Sequence, residues 1–242
     1  MMWAIYTLGT LSVIVFSLVA MAGWKKGSDN PWQIMGLWFD RGAVIDLLAG
    51  FLIGALVMAG IFFVEWMSGY MHPTKILLPS AHVLSSPVWI FPGTFAEEFF
   101  FRGLMLNGLL LVVRKNHWLA VAVSSIAFGA VHAANPYASL VSVAGNSLGG
   151  LVYALAYLKS GRLWLGVGLH FAWNFVQGPI FGFPVSGYFH GRMVEQSWEG
   201  DTLLGGGAYG PEAGLIGMIF RFVAIALVLL WCRRSKRDNV GT

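Results

Sequence analysis

The fold of this chain is decided by residues 95–103, which read Phe95-Ala96-Glu97-Glu98-Phe99-Phe100-Phe101-Arg102-Gly103. Three charged side chains here interrupt a long apolar run, residues 86–113. Ionisable groups within a membrane are costly, so they usually pair with one another or take part in chemistry. Glu98 and Arg102 are four residues apart and share a helical face, which predicts an ion pair. Glu97 is turned by about 100° from Glu98, so we expect it to stay free and to act as a base.

The composition is that of an integral membrane protein. Of the 242 residues, 57% are hydrophobic and 11% are charged, whereas soluble domains carry about 25% charged residues. No linker or low-complexity segment divides the chain, so residues 1–242 are expected to form one integral-membrane domain. The net charge of +4 comes from basic residues in short loops between apolar runs, which favours a lipid bilayer over nucleic acid as the partner. The single cysteine, Cys232, excludes an internal disulfide.

Apolar runs long enough to cross a bilayer predict an all-α, polytopic transmembrane bundle of about seven helices. The expected crossings are residues 3–22, 43–67, 86–113, 118–134, 138–158, 163–180 and 214–231. The first is expected to remain uncleaved, since no basic residue precedes it. Pro87 and Pro92 are expected to delay or bend the third helix. Residues 68–85 are interpreted as an interfacial connection, and residues 181–213 as one long exposed loop.

The distribution of basic residues predicts the orientation. With the segment after the first helix in the cytoplasm and the sides alternating, 11 of the 15 Lys and Arg residues fall on the cytoplasmic side and 2 on the outer side. The other two, Arg102 and Arg221, lie inside helices. This is the positive-inside pattern, and it places the amino terminus outside and the carboxyl terminus in the cytoplasm. Arg221 is expected to pair with an acid such as Glu65 or to extend toward the membrane surface.

Two glycine pairs have the spacing that allows helices to approach closely. Gly50 and Gly54 lie in the second predicted helix, and Gly145 and Gly149 lie in the fifth. The motif is common by chance in glycine-rich helices, so it only suggests where helices could meet.

Polar residues recur in two further helices. His132 shares a helical face with Phe128, and His170 shares one with Asn174. Each residue alone is more often a packing residue than a catalyst. Together with Glu97 they lie at middle depth on three helices, so we expect them to meet in one hydrated cavity. A carboxylate, two imidazoles and an amide are suited to water-mediated hydrolysis of an amide bond.

At this point the chain resembles a known family. Its motifs, in order, are Glu97-Glu98-x-x-x-Arg102, Phe128-x-x-x-His132 and His170-x-x-x-Asn174. This ordered set is similar to that of the type II CAAX prenyl proteases, within the wider CPBP or ABI family of intramembrane proteases. The resemblance covers about residues 86–180, which would form the catalytic core. It implies an intramembrane endopeptidase whose substrate is a peptide or protein, prenylated or membrane-associated.

The resemblance also implies roles for the site residues. Glu97 would activate the water together with His132, and Glu98 and Arg102 would support the site. The last motif, His170 and Asn174, would stabilise the oxyanion. The small size and the lack of targeting signals look more like a prokaryotic member, in the plasma membrane.

The sequence leaves alternatives open both for the cofactor and for the function. Members of this family were long described as metalloproteases, and a glutamate mechanism without metal is also proposed for them. We favour the metal-free form. Zinc held by Glu97, His132 and His170, with water as the fourth ligand, is the alternative, although no HExxH motif is present. Outside peptidase chemistry, the chain could be a proton-coupled transporter or a non-catalytic immunity or scaffold protein. No second copy of the Glu-Glu stretch marks a transporter repeat.

Overall fold

The computed structural model describes residues 31–113, 116–199 and 202–238, and these are mostly helical. In chain order the elements are α1 (Pro31–Ile34), α2 (Arg41–Met67), β1 (Met71–Ile76), α3 (Ala81–Glu98), a first π-helix (Phe99–Leu106), α4 (Asn107–Val112), α5 (His117–Val131), α6 (Leu140–Ser160), α7 (Trp164–Phe175), a second π-helix (Val176–Ile180), β2 (Val194–Trp198), α8 (Thr202–Gly205) and α9 (Leu215–Asp238). Short 3₁₀ turns cover His132–Ala134, Gly207–Tyr209 and Pro211–Ala213. The first predicted crossing, residues 3–22, lies outside the described residues.

Four helices among the described residues are long and apolar enough to cross a membrane. They are Arg41–Met67, His117–Ala134, Leu140–Ser160 and Leu215–Arg234. The chain is therefore a helical membrane protein, as predicted, but the count of seven crossings is not confirmed. The third and sixth predicted crossings are helical, but a π-helix divides the third into shorter pieces and forms the last five residues of the sixth.

The outer face of α2 shows what the bundle presents to its surroundings. Leu48, Leu52 and Leu56 follow one another at four-residue spacing and are 63%, 59% and 58% exposed. A continuous apolar stripe of this kind is unfavourable in water and suits contact with lipid chains. The opposite face of α2 packs on the rest of the protein.

That packing is made close by glycine. A Cβ atom at Gly50 would overlap the carbonyl of Leu165, and one at Gly54 would lie 2.6 Å from the carbonyl of Leu169. Gly168 in α7 makes the reciprocal approach to the backbone of Leu47. The close approach suggested by Gly50 and Gly54 is confirmed, and it seats α7 directly on α2.

Helix α3 begins earlier than expected. Its first residue is Ala81, where the hydroxyl of Ser80 caps it by accepting from the Val83 amide at 3.4 Å. Pro87 and Pro92 lie inside the helix, so the expected delay is wrong. A proline removes the hydrogen bond to the carbonyl four residues earlier. The hydroxyl of Ser86 supplies it instead, by donating to the Val83 carbonyl at 2.7 Å.

A small sheet was not part of the all-α prediction. Strands β1 and β2 pair antiparallel, with Met71 opposite Trp198 and Ile76 opposite Val194. The pairing joins the connection after α2 to the segment before α8. The loop predicted to be exposed over residues 181–213 is also partly buried, since Tyr209 and Glu212 are each only 2% exposed. Both corrections have one cause: contacts between segments far apart in the chain leave no local periodicity.

Candidate active site

Glu98, the last residue of α3, is fully buried and is the centre of the charged cluster. Its Oε1 accepts a hydrogen bond from Nη1 of Arg102 at 3.2 Å, which confirms the predicted ion pair. Nη2 of Arg102 donates to the carbonyl of Gly150 in α6 at 3.0 Å. The guanidinium also lies over the Phe128 ring, with Cζ 4.5 Å from the ring centroid. The pair therefore ties α3 and the first π-helix to α5 and α6.

His170 meets the same carboxylate from α7. Its Nδ1 lies 2.8 Å from Oε1 of Glu98, so Nδ1 carries the proton of this hydrogen bond, because an ionised carboxylate can only accept. The other ring nitrogen, Nε2, lies 3.9 Å from Oε2 of Glu97. His170 thus stands between the two carboxylates, with its tautomer fixed by Glu98.

Glu97 is the carboxylate without a close partner. Its side chain is 43% exposed, while its Oε2 atom is buried and accepts no hydrogen bond from any described residue. The separation of 3.9 Å from His170 is too long for a direct hydrogen bond. This arrangement agrees with the expected division between a paired Glu98 and a free Glu97.

His132 lies at the carboxyl end of α5, in the 3₁₀ turn. Its Nδ1 is 2.7 Å from the carbonyl of Phe128, so Nδ1 donates and the neutral ring keeps the lone pair of Nε2. The expected shared face of Phe128 and His132 is seen as ring contact, with centroids 4.8 Å apart. His132 interacts electrostatically with Glu97 and His170. Three helices thus bring the Glu97 carboxylate and the two imidazoles close enough to interact electrostatically.

Asn174 lies one turn after His170 and is partly exposed. Within the described part of the chain, its side chain makes no hydrogen bond to Glu97, Glu98 or either histidine. The structure thus brings together five of the predicted residues and leaves Asn174 at the margin. Its role as an oxyanion donor stays a prediction.

Two of the three helices that carry the site, α3 and α7, continue as π-helices, and the first of these contains Arg102. The first π-helix begins at Phe99, directly after the two glutamates, and the second begins at Val176, two residues after Asn174. Such wider turns often occur at functional sites, where they redirect side chains.

Two residues near the cluster, Tyr153 and Arg221, were not predicted to belong to the site. The ring of Tyr153 in α6 stacks on the His170 imidazole, with centroids 4.5 Å apart and planes inclined by 15°. Arg221 of α9 interacts electrostatically with both Tyr153 and His132. The local sequence around Tyr153 gives no sign of this role, although Gly149 one turn earlier marks the same face of α6.

The donors for zinc do not come together as the alternative requires. Across the described ranges, no three His, Cys, Asp or Glu side chains are grouped so that they could hold a metal ion. Glu97, His132 and His170 therefore do not fit a zinc site as they are arranged.

Part of the chain matches a known protein family. Residues 78–176 match the model of the protein family described as type II CAAX prenyl endopeptidase Rce1-like. All six predicted site residues fall within the matched stretch. No curated protein and no solved structure shows a significant match to the chain.

Proposed function

We propose that this chain, whose residues 78–176 match the Rce1-like type II CAAX prenyl endopeptidase family model, belongs to that family and hydrolyses a peptide bond at the membrane with a water activated by Glu97. The observation that carries the proposal is the position of His170, held by Glu98 at 2.8 Å and facing Glu97 at 3.9 Å. The ion pair between Glu98 and Arg102 is complete without Glu97. Here a second, unpaired carboxylate adjoins an imidazole of fixed tautomer.

In the proposed reaction, Glu97 removes a proton from water while the water oxygen attacks the carbonyl carbon of the substrate. His132 offers the lone pair of Nε2 to the same water, because its Nδ1 is engaged by the Phe128 carbonyl. General-base assistance of this kind contributes about 10²-fold to 10⁴-fold in rate. Glu97 then transfers the proton to the departing amine nitrogen, and the C–N bond breaks.

The developing oxyanion needs donors placed in advance. His170 would donate to it from Nε2 with a second proton on the ring, while Nδ1 stays bonded to Glu98. Asn174, one turn away, would add its side-chain amide. Glu98 and Arg102 act by holding His170 in place, and their own charges are satisfied by each other.

The family name suggests the substrate class. We infer a peptide or protein that is prenylated or otherwise held at the membrane, since the site lies between membrane helices. The full topology is inferred to have seven crossings with the amino terminus outside. Labelling of single cysteines introduced into a Cys232→Ser background, in intact cells and in opened vesicles, tests both the count and the orientation.

The decisive experiment uses the full chain in liposomes with a farnesylated peptide that carries a fluorophore and a quencher across the bond after the prenylated cysteine. Glu97→Gln keeps the size of the side chain and removes the base, so cleavage is expected to fall by at least about 10²-fold. Glu199→Gln is the matched control, because Glu199 is an exposed acid outside the cluster. Unchanged cleavage by Glu97→Gln would contradict the proposal.

A further inference from the structure

Arg221 is a buried cation that lies outside the stretch matched by the family model. It lies in α9, a membrane-spanning helix, and is 2% exposed. Its Cζ atom is 4.2 Å from the ring centroid of Trp173, a residue of α7 three positions after His170. Burying a guanidinium within the membrane costs free energy, so such a residue usually pairs with another group or serves the function of the protein.

The expected partner does not account for it. Among the described residues, no ion pair joins Arg221 to Glu65 within 4.0 Å, and the Nε and Nη1 atoms of Arg221 have no hydrogen-bond partner there. Glu212 interacts with Arg221 electrostatically, but among the described residues no ion pair within 4.0 Å joins the two, and the Glu212 oxygens accept hydrogen bonds from Gln177 and Ser186. A direct ion pair with a described acid therefore does not explain why Arg221 is buried here.

Helix α6 makes room for the guanidinium. A Cβ atom at Gly149 would overlap Nη1 of Arg221, so a larger residue there would displace the side chain. Tyr153 lies one turn later on the same face of α6, and Arg221 interacts electrostatically with it. Gly149 therefore opens the path by which Arg221 reaches Tyr153.

Tyr153 in turn contacts the catalytic imidazole. Its ring is 2% exposed and lies nearly parallel to the His170 ring at a centroid separation of 4.5 Å. The hydrogen bond from Nδ1 to Glu98 fixes the direction of the His170 ring within its own plane. Tyr153 closes one face of the ring and so fixes its tilt. The two contacts together determine where Nε2 points.

We propose that Arg221 is a positioning residue, which holds Tyr153 against His170 and so keeps Nε2 aimed at the reacting centre. This inference rests on the proposed peptidase function. It adds the carboxyl-terminal helix α9 to the catalytic machinery.

The activity test is a double-mutant cycle in the full chain, with the farnesylated peptide as substrate. Tyr153→Phe keeps the ring and removes only the hydroxyl, and Arg221→Gln removes the charge. Each is expected to lower kcat by about 10-fold to 100-fold with KM unchanged, because the substitution misorients His170 and leaves substrate binding intact. Because both act on one contact, the double variant is expected to lose no more than either single variant. Losses that multiply, or full kcat in either single variant, would overturn the inference.

Arg221→Lys keeps a cation and is expected to recover part of kcat. Arg162→Gln is the matched control, because Arg162 also lies over an indole, that of Trp38 at 5.1 Å, and it lies before α7 and forms an ion pair with Asp40 rather than a contact with Tyr153. If Arg221→Gln is too unstable to purify, the kcat of Tyr153→Phe alone tests the inference, and full kcat in that variant overturns it.

A second readout does not depend on cleavage. In protein labelled with ¹⁵N at its six histidines, the His170 signals are assigned by their loss in His170→Gln. Tyr153 stacks on His170, so its ring current acts on these signals. Arg221→Gln is expected to shift them, and Arg162→Gln is not. Unchanged His170 signals in Arg221→Gln would refute the positioning role even if the wild type did not cleave the peptide, so the two failures are distinguishable.

Discussion

One oxygen atom of Glu98 contacts both the Arg102 guanidinium and the His170 imidazole. The distances from Oε1 are 3.2 Å to Nη1 and 2.8 Å to Nδ1. Glu98 and His170 are separated by 72 residues, so this atom joins two helices whose association depends on the whole bundle. In the proposed mechanism the two adjacent glutamates therefore differ in role: Glu98 holds Arg102 and His170, and Glu97 acts as the base.

That division predicts different effects of matched substitutions. Glu98→Gln would leave the Arg102 charge buried and uncompensated, and removing one partner of a buried ion pair costs about 3–5 kcal/mol. We expect a large fall in the thermal unfolding temperature together with loss of activity. Glu97→Gln is expected to lose activity with almost no change in unfolding temperature, because among the described residues the nearest charged partner of Glu97 is His170 at 3.9 Å, too far for a hydrogen bond. Equal stability of the two purified variants in the same detergent would contradict this assignment.

The contact between α2 and α7 predicts a position where one methyl group is harmful. In Gly50→Ala the new Cβ would overlap the Leu165 carbonyl, and overpacking of this kind costs about 1–3 kcal/mol. The displacement of α7 would also move His170, so kcat is expected to fall. Thermal unfolding followed by tryptophan fluorescence measures the first effect.

Gly108→Ala is the control for that substitution. Gly108 lies in α4, and a Cβ there would meet nothing within 4 Å. Alanine is favoured over glycine in a helix by about 0.5–1 kcal/mol. Stability is therefore expected to stay the same or to rise slightly. A similar loss in both variants would show that the α2–α7 approach is not the cause.

The sequence indicates the helices well where the signal is local. Apolar runs mark α2, α5, α6 and α9, and the four-residue spacing of Glu98 and Arg102 predicts their pair. A helix that carries polar groups is harder to bound. The start of α3 at Ala81 depends on the Ser80 cap and on the Ser86 hydroxyl replacing a proline hydrogen bond.

The contacts that complete the site have no local signal. The bond between Glu98 and His170 and the stacking of Tyr153 on His170 both follow from how α3, α6 and α7 pack. The spacing of residues within one helix does not specify which face of another helix it meets. The pairing of β1 with β2 escapes prediction for the same reason, since 117 or more residues separate the partners at every position.

Glu212 predicts a dependence of stability on pH. It lies before α9, outside the membrane-spanning segment, and burial raises the pKa of its carboxyl above the ordinary 4.5, against the opposing effect of Arg221. The folded protein then holds this proton more tightly than the unfolded chain does. Its contribution favours folding at low pH and is lost as the pH rises through the folded-state pKa.

In Glu212→Gln the side chain stays neutral, so this loss is absent. Relative to the wild type, the variant is therefore expected to gain stability as the pH rises above 4.5, and unfolding temperatures across a pH series measure the difference. Glu199→Gln, a change at an exposed acid, is expected to follow the wild type. Parallel profiles for Glu212→Gln and the wild type would show that burial of this carboxyl does not control the pH dependence.

Removal of metal separates the two mechanisms weighed for the site. Both imidazoles use Nδ1 for a hydrogen bond, His170 to Glu98 and His132 to the Phe128 carbonyl, so only Nε2 of each ring is free to bind a metal. No three donors within the described residues are grouped as a metal site. We therefore expect cleavage of the farnesylated peptide to continue at the same rate after treatment with o-phenanthroline, while a zinc peptidase assayed in the same liposomes loses activity. If cleavage is lost and then restored by added zinc, Glu97 is a metal ligand rather than a free base, and the metal-free mechanism is wrong.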